Sequence, residues 1–501
     1  MLLPLHLTNL LATRHNSARG GLFWPRLLAM WPNYRNAEVR VRRGFVTDTF
    51  TIYDLKTEWV GRLDSVLIDS RGLVTIKAGD RLRPYVTRKL PAAISSSNTL
   101  QTTISRSATS LVVADAAQVT DPTAISGVVV IEWTNGDGSG SEKMIVTARD
   151  TATDTLTVTR AAYGTTACWH AADETFKEVL HYSDATGAVG LPFTDVALDI
   201  INRCGVPGAD INTSAIYAEA DYLSGMRFKA TIREPVEANA LLFELGEACG
   251  FGNWCQDESG RATFTLNRPP RPVESVETIE DEPHVLHNTA ARTTNEESRL
   301  THVSLWFDAE DTDSTSASGD SSNYTKRVAV INGETYVSNY YGSGEDDRLE
   351  KEIKTRWFND MDHSIPSIPA IRWCNRHAQA PNVYRWEAEL RHADLRIGQI
   401  IDLEIGETQA ATGAVATRRC RVIRKEWKEN GAGCVYTARE LSFHVLATAA
   451  AGGTRTPQYV YLQTDSAADY DSASADDLLH GYLADDSDTL GTANANAHLV
   501  F

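Results

Sequence analysis

The feature that most limits the fold is an alternation of apolar and polar residues that recurs in short runs. Between Ala37 and Leu82 it appears in EVRVRR, FTIYDL, SVLID and LVTIKA, with DSRG as a turn signal before the last. A period of two sends successive side chains to opposite faces of a sheet, so this stretch predicts a β-meander. A second group follows over roughly residues 100–180: SLVVAD, GVVVIEW, EKMIVTARD and TLTVTRA, divided by turn-rich segments such as TNGDGSGS. Ser and Thr crowd residues 95–110 after Pro91, which reads as a linker between the two groups. Strand patterns return late in YRWEAELR, QIIDLEIG, RRCRVIRKEWKE and CVYTARELSF. The expected class is mainly β with a minor α component.

The helical signals lie between these groups. FTDVALDIINRCGVPG offers Thr194 as N-cap, apolar positions at Val196, Ala197, Ile200 and Ile201, and a stop at Gly205 and Pro207. EPVEANALLFELGEACGFGNWCQDESGRATFTLNRPP places Pro235 in a first turn, gives an apolar face of Val236, Ala240, Phe243 and Leu245, and ends at Gly250. Its continuation, FGNWCQ, DESG and RATFTLN, predicts a hairpin packed on that helix. A third helix is expected over GEDDRLEKEIKTRWFND, where acids lead and bases follow. DAEDTDSTSASGDSSN, residues 308–323, carries too little apolar surface to order itself and reads as a mobile loop. After RPPRPV the acids Glu274, Glu277, Glu280, Asp281 and Glu282 mark a domain join. From Thr456 to Phe501 there is no Lys or Arg while Asp465, Asp469, Asp471, Asp476, Asp477, Asp485, Asp486 and Asp488 accumulate. The expected organisation is a β-domain over 1–95, a β-module over 96–180, a helix-plus-hairpin (αββ) unit over 181–272, a second β-domain over 273–448 and an acidic extension over 449–501.

Length and charge narrow the function. At 501 residues the chain exceeds one ordinary core, and a prior of roughly 150 residues per domain gives about three or four units. Its 48 basic and 66 acidic residues leave a formal charge of -18, which argues against non-specific nucleic-acid binding, because such affinity comes from Lys and Arg displacing counterions. MLLPLHLTNLLATRHNSARGG lacks a basic stretch before its apolar run, so synthesis without a secretory signal is expected. No run is long and apolar enough to predict a membrane-spanning helix. Seven cysteines (Cys168, Cys204, Cys249, Cys255, Cys374, Cys420 and Cys434), an odd number without a CxxC pair, speak against a disulfide framework.

Several residues invite chemistry. In LTVTRAAYGTTACWHAADETF, Cys168 and His170 stand two apart, so on an extended strand they share a face as a nucleophile and base would. No orienting third group or oxyanion loop is evident nearby, and the plainer reading is a turn and short strand closing a β-domain. Cys249, Cys255, Cys374, Cys420 and Cys434 could supply thiolates to a metal or iron–sulfur cluster if the fold gathered them, but they lack the close repeated spacings of such sites and read as small core residues. DAEDTDSTSASGD spaces carboxylates like a calcium loop without glycine at the sixth position or glutamate at the twelfth. Asp394 and Glu404 could form a glycosidase pair, as any two acids in an acidic chain could. GxxxxGK[ST], HExxH and GxSxG are absent. No catalytic, cofactor-binding or metal residue is assigned, and no enzyme is expected.

SGSEKMIVTARDTATDTLTVTRAAYGTTACWHAADETF resembles a small β-module that recurs in bacteriophage tail and virion proteins, with Glu142, Val146, Arg160, Gly164, Thr165, Thr166, Ala167, His170 and Ala171 matching. It departs in RAAYGTT, where an Arg-Gly start is commoner, putting alanine at a turn position that favours glycine. The resemblance places His170 in a structural turn. The order of VRRGFV…GRLDSVLIDSRGLVTIKAGD, CGFGNWCQDESGRATFTL and ADLRIGQIIDLEIG…RVIRKEWKENGAGCVYTARE is similar to tail-tip or baseplate hub proteins of long-tailed phages, over residues 35–445.

What that resemblance implies is a hub with tandem tail-tube-like β-barrel domains plus the inserted module, three chains forming a ring that continues the tail tube. It implies localisation in the virion after synthesis in the host cytoplasm. The implied partners are further copies of itself, the distal tail protein, the tape measure protein and other tail-tip and fibre proteins, with genome DNA only passing through the lumen. Some relatives hold an iron–sulfur cluster. Negative charge suits a DNA conduit, and equally keeps a chain soluble. Alternatives are the sixfold distal tail protein, a tail-associated cell-wall hydrolase, and a carbohydrate-binding module if Trp169 and Trp254 are exposed. Tyr459, Tyr461, Leu462, Tyr470, Leu478, Leu479, Tyr482, Leu483 and Leu490 punctuate the acidic extension and suggest docking on neighbouring proteins.

Overall fold

The computed structural model describes residues 23–43, 55–68, 74–125, 127–134, 141–223, 225–250, 252–257, 259–268, 276–295, 298–309, 321–331, 349–361, 363–377, 380–389, 392, 394–410, 412–428, 433–441, 459–461, 481–483 and 498–499. The FTIYDL run apart from Leu55, the DSRG turn, the heart of the predicted mobile loop and nearly all of the acidic extension lie outside them. The chain divides into two compact units, one of residues 1–85 with 256–262 and one of the remainder. The architecture is mainly β with few helices, as the patterning predicts.

The first unit holds helix α1 (Phe23–Met30) and an antiparallel meander of β1 (Glu38–Arg43), β2 (Lys56–Ile68) and β3 (Val74–Gly79). Register shifts at Val41/Arg42 and Leu63/Ser65 bend the long central strand. Within this unit Val60 and Val66 are buried, while Val41, Leu67 and Ile76 keep 37, 53 and 46% of their surface exposed.

In the second unit, β4 (Lys89–Leu90) leads to β5 (Ser110–Val112), β6 (Val129–Thr134), β7 (Ser141–Asp150), β8 (Thr155–Thr159) and β9 (Lys177–Tyr182). Helices α2 (Phe193–Arg203) and α3 (Thr213–Ala220) follow, then β10 (Ala230–Ile232), β11 (Val236–Glu237) and α4 (Ala238–Ala248). One antiparallel sheet runs β10-β9-β6-β7-β8-β5. Its core is the inward row set by alternation: Val129, Ile131 and Trp133 from β6, Met144 and Val146 from β7, and Leu156 and Val158 from β8. Leu100 and Ile104 belong to this core, and Leu100 bridges Val113 while Ile104 bridges His170. The Ser/Thr-rich 95–110 segment is therefore part of the module and not a linker, because its few apolar residues are spaced to plug one end of the sheet.

Helix α2 forms as expected, but its N-cap is Pro192 and Thr194 lies buried in the first turn. Pro235 and Val236 precede α4 instead of opening it, since Val236 and Glu237 pair with Leu90 and Lys89. Phe243, predicted on the apolar face, is 65% exposed, and the buried face is Leu241, Leu242 and Leu245. Gly250 ends the helix in the left-handed region at φ 75°, its N–H donating to Glu247 O at 2.9 Å. The predicted hairpin follows as β12 (Gly252–Gln256) and β13 (Ala262–Leu266).

Six more strands and a helix build the rest: β14 (Glu277–Glu280), β15 (Ala291–Thr294), β16 (His302–Ala309), β17 (Tyr324–Ile331), β18 (Glu350–Lys354), α5 (Ser364–His377) and β19 (Asn382–Glu389). β20 (Ile400–Glu404), β21 (Arg418–Trp427) and β22 (Gly433–Glu440) complete a sheet of order β14-β20-β21-β22-β19-β15, parallel only at β14 and β20. Its core includes Tyr384, Trp386, Leu403, Val422 and Tyr436. Of the helix expected over GEDDRLEKEIKTRWFND, residues 344–360, none forms in the described part, 349–360: β18 runs there instead, parallel to β16 with Ile353 opposite Leu305. The gain from pairing and burying Ile353 outweighs the helical charge pattern, whose acids and bases sit equally well on an edge strand. The helix lies downstream as α5, with Pro369 inside it. Beyond Leu441, the short strands β23 (Tyr459–Tyr461), β24 (Gly481–Leu483) and β25 (His498–Leu499) pair with one another.

Candidate functional site

The inward row of β7 begins with Glu142, ahead of Met144 and Val146, and the inward row of β8 extends from Leu156 and Val158 to Arg160. A carboxylate in an apolar row is costly unless it is paired and hydrogen-bonded. Glu142, 0% exposed, meets both conditions. Arg160 donates to it from Nε at 2.7 Å and from Nη2 at 2.8 Å. The backbone N–H groups of Ala161 and Cys168 donate at 3.1 and 2.8 Å, and His170 Nε2 lies 3.0 Å from Oε2. Burial alone would raise the carboxyl. The Arg160, His170 and backbone hydrogen bonds together outweigh it and hold the group at about 2.

The other side of the network ties down the surrounding chain. Arg160 Nη1 reaches Ser105 O at 2.8 Å and Ala108 O at 3.1 Å, and Nη2 reaches Cys168 O at 2.5 Å. His170 Nδ1 lies 3.0 Å from Glu174 Oε2, and its ring packs 5.3 Å from Trp133 between centroids. Ala161 takes φ 53° and Tyr163 φ 56°, so the alanine does occupy the left-handed turn position, held there by its N–H bond to Glu142. Both ring nitrogens of His170 face carboxylates, and Cys168 Sγ donates to Thr166 O at 3.3 Å. Cys168 and His170 thus share a neighbourhood without forming a nucleophile–base pair; what the arrangement does chemically is lock a chain reversal.

The remaining candidates are dispersed. Cys420 and Cys434 lie on adjacent strands but opposite Glu440 and Trp427 respectively, which at about 3.3 Å per residue separates them by roughly 20 Å. Burial pushes the Cys204 and Cys374 thiols up to about 11 and raises Cys249 and Cys420 further. Among the described residues no three His, Cys, Asp or Glu gather as a metal would need, so the donors do not fit the iron–sulfur cluster that the resemblance allows. Asp394 is exposed before β20, and Glu404, which ends that strand, accepts from Thr417 Oγ1 at 2.5 Å. Trp169 is 58% exposed, whereas Trp254 packs against Phe264 with centroids 5.1 Å apart. No described helix is long and apolar enough to cross a membrane.

Surfaces of a second kind are the open edges of the sheets. Among the described residues, β1 and β3 each have β2 as their one neighbour, β14 has only β20 and β15 only β19. All four residues of β15 are exposed, and in β14 only Ile279 turns inward. Sequence reading missed Glu174 and Trp133 as members of the buried network. The usable signal was Glu142 itself, an acid in phase with the apolar positions of a strand.

No known protein family matches the chain, and neither does any curated protein. Among solved structures, a chain of the virion of a native gene transfer agent particle is similar over 84% of this chain and 88% of that one, at 12% identity and TM-score 0.35. A prophage tail protein from Listeria monocytogenes EGD-e is similar over 75% and 94%, at 9% identity and TM-score 0.29. A prophage MuSo2 43 kDa tail protein from Shewanella oneidensis is similar over 73% and 95%, at 10% identity and TM-score 0.28.

Proposed function

We propose that this chain is a structural subunit of a phage tail tip, a hub whose copies associate through open sheet edges into a ring that continues the tail tube. The observation that carries the reading is the six-stranded sheet ending on both sides, among the described residues, in short exposed strands. Unpaired strand edges are an aggregation hazard that closed assemblies remove, and head-to-tail contacts close into rings. The sequence resemblance of residues 139–176 to a module of tail and virion proteins points the same way, and a net charge of -18 suits a wall past which DNA slides. The role is structural, not enzymatic. Three copies make the ring, which meets the distal tail protein on one side and the tape measure, tail-tip and fibre proteins elsewhere.

The test is gold labelling of this chain on intact particles, with mass measurement of the purified assembly. Label at the far end of the tail and a three-copy mass are expected. Six copies would favour the distal tail protein, and label elsewhere, or cleared zones on a peptidoglycan zymogram, would overturn the reading.

A further inference from the structure

One turn of the module holds three residues in the left-handed region: Ala161 at φ 53°, Tyr163 at φ 56° and Gly164 at φ 73°. Glycine adopts that backbone freely, and Ala161 is fastened in it by its N–H bond to Glu142. Tyr163 is different. A bulky side chain there is an outlier, kept only where its surroundings over-determine it. What the conformation places is the ring, which lies against the imidazole of His181 with centroids 4.4 Å apart.

The ring seats at the join between the module and the turn ahead of α2. A Cβ on Gly187 would come 2.1 Å from Tyr163 O, and one on Gly164 2.6 Å from Thr186 O, so turns 161–165 and 184–189 meet backbone to backbone. His181 Nδ1 lies 2.8 Å from Thr231 Oγ1 and Nε2 2.8 Å from Ser183 Oγ. Because Ser183 Oγ donates to Asp184 O at 3.0 Å, it accepts from Nε2–H while Nδ1 accepts from Thr231, the pattern of a neutral imidazole. Lys143 of β7, and Lys229 and Arg233 on either side of β10, bear on the ring, with Glu132 of β6 opposing them. Each cation is engaged: Arg233 and Lys143 with Glu132 at 2.5 and 3.5 Å, Lys229 with Asp360 at 2.8 Å. Asp184, in the facing turn, accepts from the Ala188 and Val189 N–H groups at 3.0 Å.

We infer that Tyr163 is a pH-sensitive latch on this join: it stays shut against a neutral His181 and opens when the imidazole takes a proton, letting turns 161–165 and 184–189 part. In the closed state burial, then Lys143 and the other cations, hold His181 down to about 3. In the open state water reaches the ring and it returns toward about 6.5. The closed state therefore has its full advantage above about pH 6.5, and the ratio of closed to open falls about tenfold for each pH unit below that. Attraction of a charged imidazole for the phenol ring acts the other way, and lost hydration with three nearby cations outweighs it. Opening also frees the Tyr163 backbone from the left-handed region, so its strain favours release. Thr165 Oγ1, which accepts from Lys143 N–H at 3.1 Å and donates to Ala162 O at 2.7 Å, confines the movement to the middle of the turn. β9 keeps its pairing with β6 and β10 throughout, so the module stays attached and loses only its brace against the turn ahead of α2.

The experiment is amide exchange of peptides within 184–190 in the full chain, from about pH 7.5 down to about pH 4.5, above the interval in which Glu142 titrates. His181→Gln is run alongside, because its amide keeps a donor and an acceptor without taking a proton. The ratio of wild-type to His181→Gln exchange cancels the intrinsic chemistry. It is expected to be constant above about pH 6.5 and to rise to about a hundredfold at pH 4.5. Tyr163→Gly removes strain and ring together, and is expected to expose 184–190 even at neutral pH while peptides of the module core keep their protection. Tyr163→Phe keeps the ring and is expected to match the wild type. A ratio that ignores pH overturns the latch, and so does a Tyr163→Gly chain that protects 184–190 as well as the wild type or better, since Tyr163 would then merely endure its turn. Histidine C2 exchange of the wild type, read by mass spectrometry, needs no variant. His181 titrating well below its ordinary range while 184–190 stays protected supports the latch, and His181 titrating in its ordinary range with those peptides still protected overturns it.

Discussion

Replacing Glu142 by glutamine tests whether the buried network holds the module together. A carboxyl kept at about 2 in the fold, against an ordinary 4.5, contributes about 3 kcal/mol at neutral pH. Breaking one partner of a buried pair costs about 3–5 kcal/mol by a separate route, since Arg160 would be left buried beside a neutral amide. Both routes predict that amide hydrogens of peptides within 141–176 lose protection by at least about two orders of magnitude in the intact chain at pH 7. The pH dependence has a definite sign. Because the folded carboxyl sits below its unfolded value, its contribution is complete above about pH 4.5 and is lost as pH falls toward 2. The ratio of variant to wild-type exchange should therefore shrink steadily through that window, the intrinsic chemistry cancelling at each pH. A ratio near one at pH 7, or a large ratio that ignores acid, would refute the assignment of the carboxylate as the fastening of this turn.

Ala161→Gly is expected to stabilise the same module by up to about 1 kcal/mol, the relief of a left-handed alanine exceeding the added freedom of the unfolded chain; slower exchange in the same peptides is the readout. Leu100→Ala should cost about 2–5 kcal/mol, because its side chain is wholly buried in the module core, and a linker residue would show nothing in the same measurement. Thiol reagents should modify the half-buried Cys168 and Cys255 in native protein and reach Cys204, Cys249, Cys374, Cys420 and Cys434 only in denaturant, as peptide mapping will show. Gly187→Ala should destabilise its turn, since φ is 75° and a Cβ there would lie 2.1 Å from Tyr163 O; local exchange between residues 160 and 190 reports it.

Where the sequence told the truth, one physical signal dominated. β7, β8 and β19 alternate cleanly because one face is buried, and α2 repeats its apolar residues with a stop at Gly205. Legibility failed where a tertiary partner decided the outcome. Residues 350–354 have helical charge order, yet β16 offers them a parallel edge and a place for Ile353. Phe243 fits an apolar helical stripe by spacing, and the packing of α4 chose Leu241, Leu242 and Leu245 instead. α5 was hidden by its own prolines, Pro366 and Pro369, which local propensity counts against a helix and a packed environment tolerates. Of the buried network, the spacing between Arg160 and His170 was visible in the chain, but their convergence on Glu142 depends on strand order, which spacing does not carry.

Strand order also settles how the module transmits load. β9 lies between β6 and β10, so one sheet runs from the module into the segment that leads to α4. Val179 and Leu180 are buried on opposite faces of β9, which marks it as an interior strand and not a border. Side chains reinforce the join: Arg233 donates to Glu132 of β6 at 2.5 Å, and Arg203 at the end of α2 donates to Val128 O at 2.5 Å while holding Asp199 at 2.7 Å. Tyr182 of β9 donates to the same Asp199 at 3.0 Å. Burial holds His181 down to about 3, so at neutral pH it stays uncharged between Thr231 and Ser183 and adds no repulsion to this seam. Excising residues 96–176 would therefore strip β9 of its β6 partner and take Glu132 away from Arg233. A force on the module would pass into β10 through the paired backbone of β9 and into α2 through the Arg203 side chain that donates to Val128 O.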